Sequence, residues 1–151
     1  MPQSLSTQEV YAFMEEREVK ACALYRFVAD SVADPEAKAL LERLAQRCEA
    51  FLEKLAAGRK EGSFTGKPCA LPDRAYCDTI LDVPKSPGQS LPEILMFAIK
   101  VKQDGYRLCR ESAQKSQASE VKRLWSALSE EERTSRLELE SYYEKEIINR
   151  I

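Results

Sequence analysis

The chain has 151 residues, 44% of them hydrophobic and 32% charged, with five glycines and seven prolines, which excludes a loop-rich or all-β chain and makes helix the expected element. A domain of this size removes roughly 68–70% of its unfolded surface from water without disulfide staples. Its net charge of -2, with no linear stretch gathering arginines and lysines, argues against a nucleic-acid partner, and the absence of histidine removes every Ser-His or Cys-His catalytic arrangement.

The opening residues, MPQSLSTQEV, carry neither a basic segment nor an apolar core, so no targeting peptide is expected. Ser6 with Glu9 three positions on forms a capping box, and apolar residues recur at Val10, Phe13, Met14, Ala21, Leu24, Tyr25, Val28 and Val32. The spacing predicts a first helix over 7–32. Asp34 followed by Pro35 reads as an N-cap with proline at the first helical position, and a stripe from Leu40 through Leu44, Cys48, Phe51 and Leu55 predicts a second helix ending at Gly58.

Residues 59–89 hold four of the prolines and three of the glycines, and read as a long crossover with one short apolar piece, Ala75 to Val83. Ser90 and Glu93 repeat the capping box and open a third helix as far as about 115. A last stripe through Val121, Leu124, Trp125, Leu128, Leu139, Tyr142 and Tyr143 predicts a fourth, to about 148. The longest apolar run, Ile94 to Ile99, is far short of a membrane span, so a cytoplasmic chain is expected.

A shift of 84 residues superposes Ser6 on Ser90, Glu9 on Glu93, Phe13 on Phe97, Leu40 on Leu124, Leu44 on Leu128 and Leu55 on Leu139. Two copies of a helical hairpin are thus joined by the crossover into one domain over 1–151. The economical way to bury four apolar stripes is an all-α, antiparallel four-helix bundle with a pseudo-twofold axis. Tyr142, Tyr143, Ile147, Ile148 and Ile151 lie outside the repeat. They are expected either to cap the open end of the bundle or to join a second subunit.

Polar residues interrupt the stripes at ordered positions. Glu18 follows Met14 by one turn and precedes Ala21 and Tyr25, and Lys102 lies 84 residues later between Ala98, Ile99, Tyr106 and Cys109. Glu132 follows Trp125 and Leu128, and its repeat partner is Cys48. All four are expected to face inward. The runs Glu15-Glu16-Arg17 and Ser129 to Arg133 otherwise read as solvated faces with i,i+4 pairs.

Here the chain resembles the ferritin-like superfamily, and within it the rubrerythrin-related proteins. The residues that carry the likeness are Ala98-Ile99-Lys100-Val101-Lys102 in the third helix, Asp34 to Lys38 at the start of the second, and Leu71-Pro72-Asp73 through Tyr76 to Leu81-Asp82-Val83 in the crossover. The resemblance implies a di-iron site built from one Glu on each of helices one and three and a Glu-x-x-His on each of helices two and four. Carried over residue by residue, the first Glu is Glu18 and the third-helix Glu is replaced by Lys102. The second-helix pair falls on Cys48 and Phe51, and the fourth-helix pair on Glu132 and Ser135.

Two carboxylates cannot offset two divalent cations in a low-dielectric core, and Lys102 adds a further positive charge. The expectation is a cofactor-free bundle in which Glu18, Lys102 and Glu132 form a buried ion cluster, Phe51 fills volume and Ser135 is small and able to bond its own helix backbone. The function expected is non-catalytic binding or scaffolding, in a homo-oligomer, with no rubredoxin module following the fourth helix. The alternative is a metal-binding oxidoreductase or iron-handling protein using a reduced site of Cys48, Glu18 and Glu132, with Cys22 one turn after Glu18 available to join it.

Five cysteines without a Cys-x-x-Cys pair read as mostly reduced thiols, Cys48 and Cys109 on interior faces. Cys69 and Cys77, eight apart in the crossover, leave open a third function, a thiol redox sensor.

Overall fold

The computed structural model describes residues 5–64 and 90–150. Among them are four helices and no strand: α1 Thr7–Ser31, α2 Pro35–Glu61, α3 Leu91–Lys115 and α4 Ser119–Glu146, closed by a 3-10 turn at Ile148–Arg150. No helix among these residues is long and apolar enough to cross a membrane.

The helix starts follow local chemistry. Ser6 Oγ accepts from the Glu9 backbone N–H at 3.2 Å while the Ser6 N–H donates to Glu9 Oε1 at 2.9 Å, a complete capping box. At α3 the reciprocal half changes: Ser90 Oγ accepts from the Glu93 N–H at 3.3 Å, but it is the Ser90 hydroxyl that donates to Glu93 Oε1, at 2.8 Å. Asp34 stands at the α2 N-cap without a side-chain bond, so Pro35, already fixed near helical φ, does more to set that start.

The second helix runs past the expected stop at Gly58 and ends at Glu61. Gly62, at φ 79°, supplies the left-handed cap, and the N–H groups of Gly62 and Ser63 both reach the Gly58 carbonyl, at 2.9 and 3.0 Å. Gly58 is therefore the last acceptor of the helix rather than its terminator.

The helices pair as two hairpins, α1 with α2 and α3 with α4, and the hairpins meet where α1 lies against α4 and α2 against α3. Two apolar clusters form the core. One gathers Tyr25, Ala29, Leu41, Ile94, Leu95, Ile99 and Leu139; the other gathers Met14, Leu55, Cys109, Ala113, Trp125 and Leu128. Between them, at mid-height, lies a layer of buried polar groups. The start of α3 belongs to the first cluster and the end of α2 to the second, so the chain leaves α2 at one end of the bundle and enters α3 at the other. The crossover that makes this passage lies mostly outside the described residues.

Tyr142, Tyr143 and Ile147 pack against the first cluster and close that end of the bundle. Arg43 secures Tyr142, its Nη2 donating to the phenol oxygen at 3.0 Å and its guanidinium lying 5.5 Å from the ring centroid. Capping the bundle is thus a role these residues fill within one chain. Ile148 is exposed, and Ile151 is outside the described residues.

Candidate functional site: a buried ion cluster beside a cavity

The polar layer is built from the residues that interrupt the stripes. Lys102 Nζ sits 3.3 Å from Glu18 Oε1 and 3.1 Å from Glu132 Oε2, with the two carboxylates 2% and 1% exposed and the lysine 12%. Three helices supply one group each: α1 gives Glu18, α3 Lys102 and α4 Glu132. From α2 comes Phe51, whose ring centroid lies 5.2 Å from Lys102 Nζ, so the ammonium also meets an aromatic face. Cys48, the other former ligand position on α2, is buried beside them.

The electrostatics are those of a buried cluster. Burial alone would lower the Lys102 pKa, but the carboxylates of Glu132 and Glu18 outweigh it and hold the ammonium well above its ordinary value, charged at all physiological pH. Burial raises the Glu132 carboxyl above the usual carboxylate range; Lys102 opposes that shift, and Glu18 adds to it by like-charge repulsion. The Cys48 thiol is pushed up by burial and then by the charge of Glu18, so it is a neutral filler and not a nucleophile. Glu18 Oε2 is buried without a hydrogen-bond donor among the described residues.

Two residues of this layer escape the stripe analysis. Gly105 stands one turn after Lys102 in mid-helix, where glycine costs about 1 kcal/mol against alanine. The reason is steric: a Cβ there would lie 2.5 Å from Glu132 Oε1 and 2.8 Å from its carboxyl carbon, so only glycine leaves room for the carboxylate. A lone glycine within a helical pattern was the available signal. Arg17, assigned to a solvated face by its neighbours, sends Nη2 across to the Val101 carbonyl at 3.1 Å, and its charge helps lower the Glu132 pKa. Residues 17 and 101 are repeat partners, as are 18 and 102, so the pseudo-twofold passes between them.

Phe51 is buried, edge-to-face with Phe64 at 6.2 Å between centroids. Ser135 lines a cavity of about 240 Å³ between α2 and α4. Tyr25, Cys48, Phe51, Lys102 and Leu139 complete much of its wall. Ion pairs stand at its rim, Arg47 to Glu138 and Lys54 to Glu131, each at 2.9 Å. Lys102 Nζ donates to Glu18 Oε1, lies within ion-pair distance of Glu132 Oε2, and also borders this space.

Cys22 does not join the cluster, since its thiol is directed at the Ala45 carbonyl at 3.9 Å. Cys109 is buried against Met14, sulfur to sulfur at 3.9 Å. Cys69 and Cys77, the basis for a redox sensor, lie outside the described residues.

The arrangement does not fit a pair of irons. An ammonium sits within ion-pair distance of both carboxylates, where cations would need anionic ligands, and among the described residues no three His, Cys, Asp or Glu side chains converge as a metal-ligand set. What the site can do chemically is hold charge in a fixed place and present the Lys102 ammonium to a small, mostly apolar cavity. Comparison with models of protein families, with curated proteins and with solved structures finds no match to this chain.

Proposed function

We propose that this chain is a ferritin-like, rubrerythrin-related protein that has lost di-iron chemistry and acts by binding rather than by catalysis. The observation that carries the reading is the Lys102 ammonium lodged between Glu18 and Glu132, at 3.3 and 3.1 Å, with a cavity against it. One positive charge replaces the cations that a family site would hold, and Cys48, Phe51 and Ser135, which replace its other ligands, leave space beside it. The ligand expected is compact and largely apolar, with one acceptor atom to meet Lys102, because about 240 Å³ lies below the roughly 300–1,000 Å³ of drug-sized sites.

Iron content after expression in iron-rich medium tests the first half of this reading. Well under one iron per chain is expected, and peroxide consumption with a chemical reductant should not rise after iron loading. Two irons per chain, with the absorption band of oxo-bridged ferric ions, would refute it. For the second half, ligand-observed NMR with small aromatic carbonyl and carboxylate fragments should detect binding that Ser135→Trp abolishes. Homodimerisation, implied by the family resemblance, belongs to the same reading and is tested by light scattering of the full chain.

A further inference from the structure

Helices α3 and α4 enclose a second space, of about 470 Å³, that shares no lining residue with the first. Four of its lining residues are arginines, Arg107 and Arg110 from α3 and Arg133 and Arg136 from α4, against one carboxylate, Glu111. Helical spacing explains the convergence, since 107 and 110, like 133 and 136, are three apart and share a face. The chain as a whole carries a charge of -2, so this is a local concentration of positive charge that no linear segment reveals.

The cleft holds unmet bonding capacity. Arg133 is half-buried and forms no ion pair among the described residues, and Arg110 meets only Tyr106, donating to its hydroxyl at 3.3 Å. Gln103, also lining the cleft, is only 5% exposed, yet its amide oxygen receives no hydrogen bond among the described residues. Buried acceptors are normally satisfied, and a half-buried cation without a counter-ion is unfavourable. Both defects are removed by one kind of ligand: an oxyanion for the guanidinium groups, whose planar forks match phosphate oxygens, with a neighbouring hydroxyl to donate to the amide. Arg136 is held 3.5 Å from Glu140 Oε2, so binding is assigned to Arg110 and Arg133 alone.

We propose that this cleft is a binding site for a small phosphate ester carrying a free hydroxyl, with Arg110 and Arg133 on the phosphate and Gln103 Oε1 accepting from the hydroxyl. The site is independent of the buried cluster, so it stands or falls apart from the reading above.

Calorimetry of the full chain at constant ionic strength tests it, with glycerol 3-phosphate and inorganic phosphate as probes. Glycerol 3-phosphate should bind more tightly than phosphate, and Arg133→Gln or Arg110→Gln should each weaken it by about tenfold or more, with the helical circular dichroism unchanged. Gln103→Leu should erase the preference for the ester. Arg123→Gln, exposed on α4 and well removed along the helix, should leave both affinities unchanged. Absence of binding by either probe at millimolar concentration, equal affinities for the two, or an equal loss from Arg123→Gln would each overturn the proposal. Should Gln103→Leu not fold, the arginine variants and the ester-to-phosphate ratio still decide.

Discussion

Glu18 and Lys102 are 84 positions apart in the chain, equivalent in its internal repeat, and 3.3 Å apart in space. Two copies of one helical position have thus become an anion and a cation that face each other between the hairpins. Glu132 takes the third place, and the three together separate the apolar core into an upper and a lower cluster.

Lys102→Met removes the charge that both carboxylates share and leaves them in a low-dielectric layer. Breaking a buried pair from one side costs about 3–5 kcal/mol, and urea unfolding at neutral pH should report a loss of that order. An effect within experimental error would mean that water solvates the cluster.

Gly105→Ala tests the steric role of the glycine. Alanine is the better helix former by about 1 kcal/mol, yet the clash with Glu132 should reverse the sign and destabilise by about 1–3 kcal/mol. In a Glu132→Ser background the same change should become neutral or stabilising, a coupling that a double-mutant cycle of thermal unfolding measures directly.

The raised Glu132 carboxyl has a definite pH signature. Its pKa in the folded chain lies above the ordinary 4.5, so its contribution to stability is fully present below that value and is lost as pH rises through the folded pKa. Lys102 behaves the same way at far higher pH, its contribution intact below 10.5 and lost only in strong alkali. Denaturant titrations from pH 4.5 to neutrality should therefore show a downward component that Glu132→Gln removes.

Thiol reactivity should divide along burial. With Cys69 and Cys77 replaced by serine, an aromatic disulfide reagent should modify Cys22 in the native protein. Cys48 and Cys109, whose pKa values are pushed up by burial first and then by Glu18 and Glu132 respectively, should react only on unfolding. Rapid native modification of Cys48 would instead favour the reduced metal or redox site.

The number, order and approximate ends of the helices follow from the sequence because capping and apolar periodicity are local properties. Ser6 with Glu9, Ser90 with Glu93 and the stripes through Leu44 and Leu128 each act within a few residues of chain. The inward direction of Glu18, Lys102 and Glu132 follows likewise from helical period and from the repeat. Tertiary structure alone decided the rest, since those contacts join residues that no local rule relates. It fixed the room that Gly105 makes for Glu132, the reach of Arg17 to the Val101 carbonyl, the cavity beside Ser135 and the meeting of Arg110 with Arg133 across two helices. Side-chain direction is written along one helix; distance between helices is set only when two faces pack.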